Sequence, residues 1–423
     1  MTCAILYATR FTSCLRAKMT DTIIIGGGAA GCMAAVQAAR YGKTVLLFER
    51  NENIGRKLRI TGKGRCNVTN DSSTEEHLNN IPVNPRFLYS AFSMFDAEDT
   101  KNFFEELGVS LKTERGNRVF PVSDNAEDIV VAFGRELKRL GVKIIHRRVS
   151  SLIIENGSCV GVRAEGEEYR SGSVLIACGG KSYPNTGSTG DGYTFAESAG
   201  HSVTELKPSL VPLVSPDKYC AEMMGLSLRN VTLSLYDGDK RIFSELGEML
   251  FTHFGVSGPL VLSASSHIRD MQPNRYRLVI DLKPALSYEQ LDTRIQRDFA
   301  ENLNRDFING IRKLLPAKLI PVAVRLSGIS PEQKVNGITK EQRRKFGELI
   351  KTFPVRISGF RPIDEAIVTS GGVSVKEIDP KTMESKLCPG LFFAGEVIDV
   401  DAYTGGFNLQ IAFSTAYSAA LYL

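Results

Sequence analysis

The 423-residue sequence lacks tryptophan, a long uncharged apolar run and any Cys-x-x-Cys pair among its eight cysteines. A membrane-spanning helix needs about 18 or more consecutive apolar residues, so none is predicted. The cysteine spacing excludes a zinc ribbon and a thioredoxin-like redox pair, and no metal site is predicted. No grouping of serine or cysteine with histidine that is typical of hydrolases is visible. Few aromatic residues lie near the basic clusters, so platforms for stacking nucleic-acid bases are scarce.

The overall composition is that of an ordinary globular protein. Apolar residues make up 43% and charged residues 23%, and a chain of this length can bury two or three cores. The net charge of +5 is small for this size and argues only weakly for nucleic acid or an anionic surface. We therefore expect a small-molecule substrate, no nucleic-acid partner and a cytoplasmic location, because the cysteine usage suits a reducing compartment. The oligomeric state stays open.

Residues 1–19 form a segment with its own composition. They contain Arg10, Arg16 and Lys18 but no acidic residue. We predict a disordered or adventitious N-terminal extension, with Met19 as the effective start of the protein. A targeting peptide is the alternative, because such segments are basic and acid-poor, but the apolar part lacks a clear small-residue cleavage site.

The strongest positive signal is a glycine turn between an apolar run and a helix. In the stretch DTIIIGGGAAG, Gly26, Gly28 and Gly31 fit the G-x-G-x-x-G pattern. Such a turn needs a positive φ, lets the backbone approach a pyrophosphate and allows close helix packing, while the amides that open the helix face the anion. The next apolar run, TVLLFE, ends at Glu49, which is placed to accept hydrogen bonds from a ribose diol. The pattern predicts a dinucleotide-binding βαβ unit.

Three further segments favour FAD over NAD. Residues 174–180 (VLIACGG) are typical of a strand ending in paired glycines, and residues 390–396 (GLFFAGE) repeat that design with an acid after the glycine. Residues 405–410 (GGFNLQ) open an apolar helix whose first amides would stabilise negative charge at the edge of a flavin ring. A second G-x-G-x-x-G, which a stable NAD(P)H site would use, is absent from the sequence. We expect NADH or NADPH to bind only transiently, as an electron donor.

A glycine-rich basic loop follows the ribose acid. Residues 55–67 (GRKLRITGKGRCN) contain five basic side chains. We predict that the glycines let this loop wrap the pyrophosphate and the flavin while Arg56, Lys57 and Arg65 offset phosphate charge. A solvated loop or a nucleic-acid patch is the alternative. Cys66 is interpreted as a small buried residue rather than a reactive thiol.

Two longer motifs extend the pattern: residues 248–259 (EMLFTHFGVSGP) and residues 382–401 (TMESKLCPGLFFAGEVIDVD). With the motifs above, they make the chain resemble bacterial FAD-binding flavoproteins often called aminoacetone-oxidase-like, a family that includes a reductase of unsaturated 3-oxo bile acids. The resemblance runs from about Asp21 to the end, and Cys178 stands where many related flavoproteins carry threonine. The residues predicted to hold FAD are Gly26, Gly28, Ala29, Ala30, Gly31, Glu49, Arg50, Arg56, Lys57, Thr61, Gly62, Gly64, Arg65, Cys66, Asn67, Val149, Ala177, Gly179, Gly180, Gly190, Asp191, Gly395, Glu396, Gly405, Gly406, Phe407, Asn408 and Leu409.

The sequence predicts an α/β fold with an insertion. Residues 20–200 and 354–423 are expected to form a two-dinucleotide-binding, Rossmann-like FAD domain. Residues 201–353 are expected to form an inserted α+β domain, a β-rich module plus a helical cap, because alternating apolar and polar residues predict antiparallel strands there. Helices are predicted over residues 288–313 and 341–351. We expect the insert to close over the flavin and shape a substrate pocket.

These features together predict an FAD-dependent oxidoreductase that moves hydride between the flavin and a small or steroid-like substrate. The favoured reaction is NAD(P)H-dependent reduction of an activated double bond. An amine or aminoacetone-type oxidase that uses dioxygen is one alternative, and a flavin-containing RNA-binding protein is another. The sequence does not identify a catalytic acid or base. His253 is a weak candidate, because one histidine among apolar neighbours is more often a structural donor.

Overall fold

The computed structural model describes residues 20–423, which form two compact units. The first unit comprises residues 20–206 and 371–423, and the second comprises residues 207–370. The predicted extension at residues 1–19 lies outside the described residues. Among residues 20–423, no helix is long and apolar enough to cross a membrane.

The first unit contains the βαβ segment that the glycine pattern predicts. Its strands are β1 (Thr20–Ile25), β2 (Val45–Phe48), β3 (Thr69–Asn70), β4 (Leu111–Glu114), β5 (Arg118–Pro121), β6 (Lys143–Ile145), β7 (Val149–Glu155), β8 (Ser158–Ala164), β9 (Glu167–Ile176) and β19 (Leu391–Phe393). Its helices are α1 (Ala29–Arg40), α2 (Arg56–Ile60), α3 (Thr74–Asn79), α4 (Tyr89–Met94), α5 (Ala97–Glu106), α6 (Glu127–Arg139), α7 (Asp191–Ser198) and α14 (Phe407–Ala420).

The main sheet of the first unit is mostly parallel. Strands β6, β2, β1, β9 and β19 lie side by side in that order, and all these neighbours run parallel. The carboxyl ends of four strands are in register, because Ile25 pairs with Phe48 and Ile176, and Ile176 pairs with Phe393. Loops that follow such aligned ends form the ligand crevice of open α/β sheets. The predicted α/β fold is confirmed, and β7 and β8 extend this sheet as an antiparallel hairpin.

Helices α1 and α14 cover this sheet and pack on each other. Small residues allow the close approach, since α1 carries six alanines, and Ala30 and Ala412 both lie near Gly395. Helix α14 is buried over nearly its whole length. An apolar helix enclosed on all sides is stabilised by tertiary packing rather than by an amphipathic pattern. This packing holds the two chain segments of the first unit together.

The second unit is an antiparallel sheet with helices. Its strands are β10 (Lys207–Ser209), β11 (Leu213–Val214), β12 (Ser227–Asp237), β13 (Lys240–Thr252), β14 (Gly255–Ser257), β15 (Tyr276–Asp281), β16 (Phe353–Arg356), β17 (Gly359–Phe360) and β18 (Val368–Ser370). Its helices are α8 (Tyr219–Glu222), α9 (Pro259–Ser265), α10 (Tyr288–Ala300), α11 (Phe307–Gly310), α12 (Ile320–Ser327) and α13 (Lys340–Lys351). The seven-stranded sheet has the order β16-β15-β12-β13-β14-β11-β17.

Three predicted boundaries differ from the structure. The second unit begins at residue 207 rather than 201. It ends at residue 370 rather than 353, because β16 pairs with β15 and β17 pairs with β11 inside its sheet. The helix predicted over residues 288–313 ends at Ala300. There the Asn302 side-chain amide donates to the Asp298 carbonyl at 2.7 Å, and such local side-chain bonds compete with helix continuation.

Candidate cofactor site

The glycine turn after β1 is packed in a way that only glycine permits. Gly26 has φ +107°, and a Cβ there would lie 2.5 Å from the Ala177 carbonyl oxygen. A Cβ on Gly31 would lie 1.7 Å from the Gly26 carbonyl oxygen, so α1 approaches the turn closely. The turn therefore brings the end of β1 against the segment that follows β9, as the dinucleotide pattern requires.

Gly28, in contrast, lies beside open space. A Cβ added there would meet no atom of residues 20–423 within 4 Å. Within this described part of the chain, no side chain caps the N-terminus of α1, and its first turn holds no acidic residue. Bare amides beside open space at a helix N-terminus suit a diphosphate, so the turn fits the group that the sequence predicts.

Glu49 is buried at the end of β2 and fixes the turn. The Gly27 N–H donates to Glu49 Oε2 at 2.9 Å, and both the backbone N–H and the side-chain amide of Asn51 donate to Oε1 at 2.7 Å. A carboxylate has about four acceptor positions, so capacity for a further donor such as a ribose hydroxyl is left. The carboxylate thus links the glycine turn to the residues after β2.

A second polar cluster joins segments that are distant in sequence. Lys57 Nζ lies 2.7 Å from both Glu396 Oε2 and Ser182 Oγ, and Ser182 Oγ donates to Glu396 Oε1 at 2.9 Å. The Lys57 and Glu396 side chains are 22% and 20% exposed, which makes this a half-buried ion pair. The structure therefore brings the basic loop, the segment after β9 and the segment after β19 together.

A third cluster surrounds Asp191 at the N-terminus of α7. Arg148 donates two hydrogen bonds to the Asp191 carboxylate at 2.8 Å, and Arg50 donates to Thr189 at 2.6 Å. Burial alone would raise the pKa of Asp191, but the bonds from Arg148 and Thr189 and the nearby cations lower it below the usual value. Val149 follows Arg148 and is buried at the start of β7.

Two buried polar atoms near these segments have no hydrogen-bond partner among residues 20–423. They are the Tyr193 hydroxyl and Asn67 Oδ1. Burial raises the pKa of Tyr193 strongly, so the phenol keeps its proton. Buried polar atoms are almost always paired in proteins. A polar group of a bound cofactor would supply the hydrogen bond that each of these two atoms lacks.

The C-terminal segment supplies another uncapped helix. Gly406 has φ +103°, and a Cβ there would lie 2.4 Å from the Thr69 carbonyl group. The Asn70 amide donates to the Gly405 carbonyl at 3.0 Å. In residues 20–423, no side chain caps α14, and its first turn contains no acid. This backbone is therefore fixed against β3 with its first amides unblocked by a capping group.

Several other predicted residues form ion pairs or hydrogen bonds within the protein. Arg65 pairs with Glu114 and Asp124, so two carboxylates already match its charge. Arg56 donates to Asn51, and Asn408 bonds both backbone groups of Ala402. The remaining predicted positions lie in the same loops, strand ends and first turns of α1 and α14: Ala29, Ala30, Thr61, Gly62, Gly64, Cys66, Gly179, Gly180, Gly190, Phe407 and Leu409.

The Cys66 thiol is buried, as predicted, and burial raises its pKa to about 12. Such a thiol keeps its proton at neutral pH and is a poor nucleophile. Burial raises the pKa of Cys178 to about 12 as well. Neither cysteine is therefore suited to redox chemistry through a thiolate.

The sequence prediction misses Asn51, Ser182 and Tyr193. Ser182 meets partners 125 and 214 residues away, a relation that only the fold reveals. Asn51 stands two residues after the predicted ribose acid, and Tyr193 lies in the segment GDGY with the predicted Gly190. A polar residue directly beside a predicted ligand position is the signal that could have found both.

His253 lies in the second unit, in the turn between β13 and β14. It is exposed and packs edge-on against Phe254 at 5.0 Å. Hydrogen bonds from Arg361 lower the pKa of Glu365, and His253 contributes to that shift. The Thr252 hydroxyl is buried without a partner in residues 20–423. The turn thus combines an exposed imidazole with a buried hydroxyl whose missing hydrogen bond a polar ligand group would supply.

No group of three or more histidine, cysteine, aspartate or glutamate side chains in residues 20–423 is placed to hold a metal ion.

Comparison with known proteins agrees with this geometry. The family described as HI0933-like protein Rossmann domain matches residues 20–422. A 3-dehydro-bile acid delta(4,6)-reductase of Clostridium scindens is 33% identical, over 94% of this chain and 97% of that protein. A ribosomal RNA dihydrouridine synthase of Haemophilus influenzae is also 33% identical, over 96% of this chain and 98% of that protein.

Among solved structures, a 3-ketosteroid delta1-dehydrogenase from Sterolibacterium denitrificans matches with a TM-score of 0.52. The match covers 95% of this chain and 99% of that chain at 14% identity, which shows a shared fold alone. The family match over nearly the whole described chain and the bile-acid reductase relative identify an FAD-dependent oxidoreductase. The chain belongs to the HI0933-like family of FAD-binding Rossmann proteins.

Proposed function

We propose that this protein is an NAD(P)H-dependent reductase of a carbon-carbon double bond conjugated to a carbonyl group. One observation carries the proposal: two relatives that match nearly the whole chain are named for saturating such a bond. The delta(4,6) double bonds beside a 3-oxo group and the ring double bond of uridine are all conjugated to a carbonyl. The shared chemistry supports reduction over amine oxidation.

We further propose that the predicted cofactor residues hold FAD, which when bound supplies the two-electron hydride chemistry. The amides of α1 bind the diphosphate, and Glu49 orients the ribose. The cluster of Lys57, Ser182 and Glu396 keeps three segments fixed around the site. The amides at the start of α14 provide positive potential, which would stabilise the negative charge that a flavin gains on reduction.

The reduction also needs a proton on the carbon next to the carbonyl, and we keep His253 as the candidate donor. Its imidazole is exposed, so solvent reaches it directly. NADH or NADPH would supply two electrons through the bound FAD, and the substrate would gain a hydride on the carbon β to the carbonyl. General acids of this kind contribute roughly 100- to 10,000-fold to a rate.

Two substrate classes fit this chemistry. The first is an unsaturated 3-oxo steroid of the bile-acid type, in line with the bile-acid reductase relative. The second is uridine in RNA, and a specific observation favours it. Residues 207–370 hold 24 basic and 18 acidic residues, whereas residues 20–206 with 371–423 hold 25 basic and 29 acidic residues. The expectation of no nucleic-acid partner rests on the small net charge of the whole chain. That value does not reveal that the second unit is net positive and the first unit net negative.

The free cysteine thiols of the described residues suit a reducing compartment. All six cysteines of residues 20–423 are free. Disulfides are rare in reducing compartments, so we infer that the protein works in the cytoplasm.

Anaerobic mixing tests the reaction type. Oxidised enzyme is mixed with NADH, NADPH or aminoacetone while the visible flavin absorbance is followed. We expect a nicotinamide to bleach the band and an unsaturated 3-oxo steroid or a uridine-containing RNA to restore it. Bleaching by aminoacetone alone, with hydrogen peroxide formed when air is admitted, would refute the reductase. The substrate that restores the band separates the two classes.

A further inference from the structure

We propose that a basic depression in the helical part of the second unit binds the phosphate backbone of RNA. This inference rests on the second substrate class of the proposed function. The depression has a volume of about 280 Å³ and is lined by Asn304, Arg305, Asp306, Asn309, Arg312 and Lys334. It lies where the chain passes from α10 to α11 and meets the segment before α13.

The depression concentrates positive charge that the protein does not neutralise. Arg305 and Arg312 are exposed, and neither forms an ion pair with any of residues 20–423. Lys334 pairs with Asp306 at 2.7 Å, so the four charged side chains leave a net charge of +2. Two unpaired guanidinium groups with amide donors beside them form a suitable surface for phosphate oxygens.

Several basic residues on α12 and α13 are instead paired. Arg325 pairs with Glu222, Arg344 with Glu348 and Lys345 with Glu341. Residues 288–351 as a whole contain 13 basic and 8 acidic residues. The depression thus holds +2 of this segment's net charge of +5.

The aromatic residues indicate how RNA is recognised. Residues 288–351 contain Tyr288, which is 50% exposed, and the buried Phe299, Phe307 and Phe346. Single-stranded nucleic acid is usually bound by stacking its bases on exposed aromatic rings. A surface with guanidinium groups and almost no exposed ring instead contacts phosphates, so we infer binding to folded, double-helical RNA through its backbone.

The test compares two double variants of the full-length, FAD-loaded protein. Arg305→Gln with Arg312→Gln removes the unpaired charges of the depression. Arg344→Gln with Lys345→Gln removes two paired charges from the same helical segment and is the matched control. Binding of a labelled RNA hairpin of about 16 base pairs is measured over a range of salt concentrations.

We expect the depression variant to bind the hairpin roughly tenfold more weakly, with the slope of log affinity against log salt reduced by about 2. The control should keep the wild-type slope. Equal losses in both variants, or no loss in the depression variant, would overturn the inference. Tighter binding to anionic phosphatidylserine vesicles than to the hairpin would also overturn it. Thermal midpoints and flavin content show that each variant is folded.

The readouts separate this inference from the reductase proposal. Flavin bleaching by NADPH and recovery with an unsaturated 3-oxo steroid use no RNA contact and should be unchanged in the depression variant. A wild-type protein that reduces the steroid but binds no hairpin refutes the RNA surface alone. A protein that binds the hairpin through Arg305 and Arg312 but is not reduced by either nicotinamide refutes the reductase alone.

Discussion

Replacement of Glu49 by glutamine should weaken FAD binding sharply while preserving the size and shape of the side chain. The wild-type carboxylate accepts three N–H bonds, one from Gly27 and two from Asn51. A glutamine amide has one oxygen, so its NH2 group must face an N–H donor whichever way it is turned. The Gly27 turn then loses a charged acceptor directly before Gly28, and the proposed ribose contact loses its charge as well.

The size of the effect follows from these bonds. A hydrogen bond to a charged group contributes about 1.5 to 3 kcal/mol, and about 1.4 kcal/mol corresponds to a tenfold change in affinity. If the turned amide no longer accepts from the ribose, loss of that charged bond alone predicts a roughly 10- to 150-fold higher Kd. Titration of apoprotein with FAD, followed by quenching of flavin fluorescence, measures this value directly.

The matched control is Glu136→Gln in the same unit. Glu136 is also buried, but it pairs with Arg139 and Arg40, whose bonds lower its pKa to about 2. Its replacement should lower thermal stability and leave the Kd for FAD within about threefold, well under the effect of one charged hydrogen bond. If Glu49→Gln also kept the wild-type Kd, the assignment of Glu49 to the ribose would be wrong.

Three further predictions concern other parts of the chain. Gly406→Val should deplete bound FAD, because its Cβ would lie 2.4 Å from the Thr69 carbonyl, whereas Gly134→Ala, at an open helical position, should keep full occupancy in the flavin-to-protein absorbance ratio. Burial lowers the pKa of His267 to about 4 from 6.5, so stability should be full above pH 6.5 and fall by up to about 3 kcal/mol as the pH approaches 4. Urea midpoints across that range should lose most of this slope in His267→Gln, and an unchanged slope would contradict the assignment. His253→Gln should lower turnover about 100-fold or more at constant FAD content, and full activity would exclude it as the proton donor.

The βαβ segment and its acid were predictable because their signals are local. Three glycines, an apolar strand and Glu49 at the end of the next strand leave few alternatives to a dinucleotide turn. Contacts across the sequence were not predictable in this way. The ion pair of Lys57 with Glu396 spans 339 residues, and no periodicity encodes that distance.

The boundary of the second unit shows another limit. The sequence pattern assigns residues from 354 onward to the FAD domain, whereas Phe353–Arg356 forms a strand of the second unit. Alternating burial does not say which sheet a strand joins. The pairing with β15 depends on surfaces that form only when the insert has folded. Similarly, α10 ends at Ala300, where the Asn302 side chain bonds back to the Asp298 carbonyl, a local contact that helical periodicity does not reveal.

The divided first unit has a consequence for biosynthesis. The ribosome releases residues 20–206 long before residues 371–423, yet β19 is the parallel neighbour of β9 and α14 is the packing partner of α1. The nascent N-terminal half therefore exposes an unpaired strand edge and an alanine-rich helix face until the last residues emerge. The insert is contiguous in sequence and can fold in the meantime as an independent unit. A chain truncated after Ser370 should consequently keep the fold of residues 207–370 but bind no FAD and depend on chaperones, and flavin retention by that fragment would show that the C-terminal segment is dispensable.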